Sequence, residues 1–158
     1  MGICAVTALG ATSQGAPADR APFEVPVLVL SFFPTNGDLV DVRVTGDWSA
    51  PLAETRAKTQ RQTREAIEAL EQGSRYHGYT NPAAKPSLKY RVAGEREFLK
   101  PLPTFSKRDH RTPMTDYARI MADVSIRDWV EKRGVREVWI WGYHGGKVDL
   151  WESNMSSP

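Results

Sequence analysis

The chain has 158 residues, 41% of them hydrophobic and 25% charged, and its 21 basic and 19 acidic side chains give a formal net charge of +2. This length suits one domain whose core is large enough to fold without disulfides or a structural metal. The charge balance argues against a nucleic acid partner. The single cysteine, Cys4, excludes an internal disulfide. No apolar run reaches the ~20 residues of a membrane span.

The first 25 residues differ in character from the rest of the chain. Residues 3–11 resemble the apolar centre of a signal peptide, and Ala16-Pro17-Ala18 fits the A-x-A cleavage pattern, but the basic start of such a peptide is missing. We therefore expect residues 1–25 to be a signal-peptide remnant or a disordered tail. Residues 26–158 are then expected to form a single α/β domain that is secreted or extracellular.

Three stretches in the first two thirds of the chain have strand patterns. Residues 27–33 (VLVLSFF) are almost continuously apolar, which predicts a strand covered on both faces. Asn36-Gly37 predicts a turn, and alternation over residues 39–45 predicts a half-exposed strand that forms a hairpin with the first. Residues 88–92 and 96–99 predict a second hairpin about Ala93-Gly94.

A long helix is predicted over residues 52–72, between Pro51 and Gly73. Its apolar stripe is thin before Ala66, and basic side chains cover much of its surface. This pattern favours a solvated surface helix over a nucleic-acid-binding face. Residues 100–113 are irregular and charged, which is typical of a functional or a mobile loop.

The last third of the chain predicts two short helices and a strand. Thr115 is expected to cap a helix that begins at Asp116, and Ser125 to begin a second helix in a capping-box-like sequence. Gly134 stands at a C-cap position, directly before an apolar strand at residues 135–141.

This order of helix, glycine and strand is the second half of a βαβ crossover. The predicted fold is α/β: a single mixed sheet of about five strands with a parallel centre, helices packed on it, and residues 135–141 central beside residues 27–33.

The segment after the last strand is the first candidate site. His144 lies just past the strand end, Gly145-Gly146 allows close approach of a ligand, and Asp149, Glu152 and Asn154 come next in the chain. A neutral imidazole and a carboxylate are suitable ligands for a divalent metal such as zinc, which would make His144 and Glu152 the metal ligands. Without metal, Glu152 or Asp149 would orient His144 as a general base. The alternative is a polar strand end whose aromatic residues fill core.

Two other clusters are weaker candidates. In RYHGY, Arg75 and His77 can bind an anion, and Tyr76 and Tyr79 can offer ring faces to a sugar; the alternative is a packed loop. In KRDHR, His110 is most simply a surface residue.

The segments RYHGY, DYARIM, VREVWIWGYH and WESNMSSP together resemble a group of uncharacterised, exported bacterial proteins. The resemblance covers roughly residues 27–158, and it carries no catalytic residues across because no activity is established for the group. It implies export, and it implies that this chain is a fragment shortened at both ends.

Two functions from different classes are consistent with these features, and a third interpretation is an incomplete structural fragment with no activity of its own. The first is an exported, metal-assisted hydrolase acting on a cell-wall or extracellular polymer. His144 and Glu152 would then be catalytic, Asn154 would hold substrate or an oxyanion, and Arg75 and His77 would line the rim. The second is a non-catalytic glycan-binding or surface-interaction module that uses the rings of Tyr76, Tyr79, Trp141, Tyr143 and Trp151.

Overall fold

A computed structural model describes residues 21–75, 83–108, 110–144 and 147–149. Seven strands and four helices lie in these ranges. In chain order they are β1 (Phe23–Phe32), β2 (Thr35–Asn36), β3 (Leu39–Val40), α1 (Val42–Thr45), α2 (Leu52–Gly73), β4 (Leu88–Phe98), β5 (Thr104–Phe105), β6 (Met114–Thr115), α3 (Tyr117–Asp123), α4 (Ile126–Arg133) and β7 (Glu137–Trp141).

The main sheet has three parallel strands in the order β4-β1-β7. Two small antiparallel ladders, β2-β3 and β5-β6, stand apart from it. The α/β class and the parallel centre are confirmed, but within the described ranges the main sheet has three strands and not the expected five or so in a single layer. None of the helices in the described ranges is long and apolar enough to cross a membrane.

β1 is the central strand of the sheet and contributes residues to the core on both faces. Its side chains alternate between two apolar clusters, which explains the continuous apolar run. Leu28, Leu30 and Phe32 pack on one face, and Val25, Val27 and Val29 pack on the other. The strand begins at Phe23, earlier than the pattern predicted.

Strand β7 lies at an edge of the sheet, so the prediction that it is central was wrong. Among the described residues it pairs with β1 alone, from Val27↔Glu137 to Ser31↔Trp141, and each of its residues is half-buried. The helix-glycine-strand prediction was right: α4 ends at Gly134, whose positive φ of 67° closes the helix before β7.

The predicted hairpin about Ala93-Gly94 was wrong, because residues 88–98 form one continuous strand. β4 runs parallel to β1, and the register shifts where Val27 faces Val92 and Leu28 faces Gly94. Gly94 is needed for close packing: a Cβ on it would lie 2.4 Å from the Cη2 and Cζ3 atoms of Trp129. A glycine at a bulge and a glycine in a turn look alike in sequence.

The predicted strand over residues 39–45 was also wrong, and so was its hairpin with β1. Only Leu39 and Val40 are extended, paired with β2 across the predicted Asn36-Gly37 turn. Asp41 then caps α1, since its carboxylate accepts a hydrogen bond from the Arg43 backbone N–H at 3.0 Å. Local capping by an aspartate competes with continuation of a strand.

The helix caps differ from two predictions. α3 is capped by Asp116, whose carboxylate accepts from the Arg119 N–H at 2.9 Å, and Thr115 belongs to β6. Ser125 precedes α4 in a left-handed conformation and makes no side-chain cap bond. The long helix α2 matches its predicted bounds to within one residue.

Candidate functional site

His144 is exposed and lines a cleft at the carboxyl end of β7. We call this the β7 cleft; its volume is about 210 Å³. Parallel strands place their following loops at one edge of the sheet, which is where ligands bind in such folds. The cleft is lined by Leu102, Thr115, Tyr117, Ile140, Trp141, Gly142, Tyr143 and His144.

The loop after β4 forms the opposite wall of the β7 cleft. Leu102 is buried, and its backbone N–H donates to the Tyr143 hydroxyl at 3.2 Å. Burial raises the pKa of Tyr143 above its usual value of 10.0, although the bond from Leu102 acts in the other direction. Gly142 permits this approach, because a Cβ there would lie 2.8 Å from the Leu102 Cδ1 atom.

The short β5-β6 ladder brings Thr115 and Tyr117 to the same cleft. Thr104 pairs with Thr115, and the Asp116 N–H donates to the Pro103 carbonyl at 2.9 Å. The irregular loop is therefore folded back on itself, with buried Thr115 at the cleft wall. Sequence reasoning missed Leu102, Thr115 and Tyr117, because the pairing that brings them to His144 leaves no local pattern.

The chain beyond His144 is tied back to this loop. The His144 carbonyl accepts from the N–H groups of Lys147 and Val148, at 2.7 and 3.1 Å, and Val148 is buried in the core. Asp149 forms a parallel bridge with Met114, and its N–H donates to the Pro113 carbonyl at 2.7 Å. These bonds fix the backbone on both sides of residues 145–146.

Asp149 pairs with His110. The His110 Nδ1 and Asp149 Oδ2 atoms lie 3.5 Å apart, which is an ion pair when His110 is protonated. The hypothesis that Asp149 orients His144 stays a prediction. His110, predicted to be a plain surface residue, has a carboxylate partner next to the candidate site.

Trp141 has an unusual environment at the cleft. Its indole N–H is buried and has no hydrogen-bond partner among the residues that the structure describes. A buried donor without an acceptor costs about 1–3 kcal/mol. The Trp141 ring packs against the Val25, Val27 and Val29 cluster, on the face of the sheet opposite the cluster that contains Leu102 and Tyr143.

The structure does not bring Arg75 near His144. The Ser74 hydroxyl accepts from the Ser87 and Leu88 N–H groups, at 3.0 and 3.1 Å, so the end of α2 lies beside the start of β4. This is the amino-terminal edge of the sheet, and His144 is past the carboxyl-terminal edge. The ten residues of β1 between these edges span roughly 33 Å.

The remaining predicted site residues lie outside the described ranges. They are Tyr76, His77, Tyr79, Glu152 and Asn154. Trp151 also lies outside them. Within residues 21–75, 83–108, 110–144 and 147–149, no group of three or more His, Cys, Asp or Glu side chains is placed to hold a metal ion.

Comparison with protein-family models, with curated proteins and with solved structures found no match to this chain.

Proposed function

We propose that this chain is an exported hydrolase whose reaction takes place in the β7 cleft, with His144 as its ionisable group. The observation that carries the proposal is an exposed histidine lining a cleft at the carboxyl end of a strand in a parallel sheet. The residue was singled out by its position after the last strand, and the fold puts it at the edge where such folds bind ligands.

The walls of the cleft supply the other groups that a hydrolase needs. Thr115 and Tyr117 carry hydroxyl groups that can hydrogen-bond to a substrate oxygen. Leu102 and Ile140 give an apolar wall that limits water around the scissile bond. A few polar groups in a largely apolar cleft are typical of a small-molecule or subsite pocket.

His144 has two possible roles, and they share the same chemistry at the scissile bond. As a general base it takes a proton from the attacking water and returns it to the leaving group. As a metal ligand with Glu152, it would hold a zinc ion, which supplies a water that ionises near neutral pH. Either way one water is consumed and one bond is broken.

The proposed substrate class rests on the composition of residues 1–25 and on the size of the β7 cleft. The composition of residues 1–25 indicates export, which favours an extracellular or cell-wall polymer as substrate. A cleft of about 210 Å³ holds one unit of such a polymer, with the rest of the chain outside.

The glycan-binding hypothesis is weaker, because it needs rings that face solvent. Tyr143 is buried and its hydroxyl is engaged by Leu102, so it cannot offer a ring face to a sugar. Trp141 is half-buried against the Val25, Val27 and Val29 cluster. The predicted role in glycan binding of the rings of Tyr76, Tyr79 and Trp151 stays a prediction.

A thermal melt with added metals tests whether His144 acts as a metal ligand. The protein is melted with EDTA, zinc, calcium or manganese, as the wild type, His144→Ala and the control His110→Ala. Metal at 100 times its dissociation constant stabilises the folded state by about 2.7 kcal/mol. We expect His144→Ala to lose this stabilisation and His110→Ala to keep it.

The other outcomes of the melt are equally informative. Stabilisation that survives in His144→Ala refutes the metal-ligand role. A melting temperature that no metal changes removes zinc from the proposal and leaves His144 as the base, which a rate measurement then tests.

A further inference from the structure

The side of α2 that faces the sheet is polar, which is unusual for a helix in this position. A helix that covers a sheet normally presents an apolar stripe to it. Here the buried residues of the helix are both threonines, Thr55 and Thr63. A cavity beside the sheet is lined from the helix by Arg56, Thr59, Gln60, Thr63, Arg64 and Ile67, of which only Ile67 is a large apolar residue. Places where a local rule fails in this way are often functional.

The helix and the sheet leave a groove of about 320 Å³ between them, which we call the α2 groove. An apolar floor is formed by Val29 of β1, by Phe33 directly after β1 and by Val92 of β4. The β7 cleft has walls, Leu102 and Tyr143, that belong to the core cluster on the other face of the sheet. The two cavities are therefore separate sites.

Polar contacts hold α2 above the sheet at both ends of the groove. Near the start of the helix, the Arg56 guanidinium binds both carboxylate oxygens of Glu97, at 2.8 and 2.5 Å. Near its end, the Glu71 carboxylate accepts from the Tyr90 backbone N–H at 2.7 Å. These two contacts fix the position of the helix over the sheet on either side of the groove.

The charges in the groove balance. Arg56 and Glu97 neutralise each other, and Arg64 and Glu95 are exposed and make no ion pair within the described part of the chain. Arg96 also borders the groove, but its guanidinium stacks over Trp129, 5.2 Å from the ring centroid. One available cation and one available carboxylate above an apolar floor suit a zwitterion better than a polyanion.

We propose that the α2 groove binds a small zwitterion with an apolar side chain, of the size of an amino acid or a dipeptide. The ligand carboxylate binds the Arg64 guanidinium, and the ligand ammonium binds the Glu95 carboxylate. The apolar side chain rests on Val29, Phe33 and Ile67. This site is additional to the hydrolase proposal and does not depend on it.

Titration calorimetry with leucyl-phenylalanine and with phenylalanine tests the proposal on the whole chain. We expect saturable binding of at least one of them, with Arg64→Gln and Glu95→Gln each weakening it at least about tenfold, which corresponds to 1.4 kcal/mol. Both residues are exposed, so the variants keep the fold. The control Arg61→Gln lies on the same helix, where Arg61 is 3.8 Å from Glu65 and outside the groove, and it should bind as the wild type does.

Blocked ligands assign each charge to its partner. The C-terminal amide of the dipeptide should bind weakly to the wild type and should be insensitive to Arg64→Gln. The N-acetyl dipeptide should likewise be insensitive to Glu95→Gln. His144→Ala should leave all of these affinities unchanged, which separates this site from the β7 cleft.

Two results would overturn the proposal. One is an absence of saturable heat with either zwitterion up to on the order of 10 mM, which would make the α2 groove a hydrated gap. The other is binding that neither Arg64→Gln nor Glu95→Gln weakens.

Discussion

Replacing Gly94 by alanine tests the packing of β4 against α4. An added Cβ would lie 2.4 Å from two atoms of the Trp129 ring, a distance that real contacts do not reach. Trp129 is only 5% exposed and cannot move outward freely. The guanidinium of Arg133 covers the ring at 4.2 Å from its centroid, and that of Arg96 covers it at 5.2 Å.

The expected loss of stability comes from this overlap. Extra carbon atoms in a well-packed core cost about 1–3 kcal/mol. Since 1 kcal/mol shifts the melting temperature of a chain of this size by roughly 2–4 °C, a loss of about 2 kcal/mol lowers it by roughly 4–8 °C. The assay is a thermal or urea melt followed by circular dichroism.

A control and a double variant make this prediction specific. Gly73→Ala is the control, because no atom lies within 4 Å of an added Cβ and the change should stabilise α2 by under about 1 kcal/mol. Trp129→Leu makes room for the methyl group, so Gly94→Ala with Trp129→Leu should lose at least about 0.5 kcal/mol less than the sum of the single changes. An unchanged melting temperature for Gly94→Ala, or strict additivity in the double variant, would refute the reasoning.

Three further predictions concern single side chains. Tyr143→Phe leaves the buried Leu102 N–H without its acceptor and should lower the free energy of unfolding by about 1–3 kcal/mol in a urea melt. Asp116→Ala removes the cap of α3 and should cost about 1 kcal/mol in the same assay, whereas Asp128→Ala, in an exposed pair with Lys132, should cost less. Hydrogen bonds from Arg56 hold the pKa of the Glu97 carboxyl below its usual value of 4.5. The ionised carboxylate therefore stabilises the folded state at pH values above 4.5. This stabilisation is lost as the pH falls through the lowered pKa. Wild type and Glu97→Gln should therefore differ by up to about 1 kcal/mol at pH 6 and converge in melts at progressively lower pH; a constant difference down to the acid limit would contradict this assignment.

Elements buried on both faces were predictable from the sequence, and those fixed by distant partners were not. β1 was found because burial on both faces leaves an unbroken apolar run. The position of β7 at an edge depends on its pairing with β1, more than a hundred residues earlier, and nothing within residues 137–141 encodes that neighbour. Gly94 was misplaced because close packing and a turn both select glycine.

The candidate site likewise contains one residue that was predictable from the sequence and others that were not. His144 was predicted because ligands bind past the ends of parallel strands, a rule that needs only the strand and the residues directly after it. The other cleft residues come from the loop after β4 and from β6, which the fold and not the sequence order brings there. One sequence feature indicated the α2 groove, namely the thin apolar stripe of residues 52–65. The pairing of Arg56 with Glu97 was not predictable, because the two residues are 41 positions apart.

The most direct measurement is the hydrolysis rate of His144→Gln relative to the wild type. Purified protein is assayed at neutral pH on chromogenic esters, phosphoesters, glycosides and peptide amides, with and without zinc, and His110→Gln is the matched control. Our account predicts that one substrate class is hydrolysed and that His144→Gln lowers kcat/KM by about 10²- to 10⁴-fold while the melting temperature is unchanged. His110→Gln should keep most of the activity. Hydrolysis that His144→Gln leaves undiminished, or folded protein that hydrolyses none of these bonds, would contradict the account.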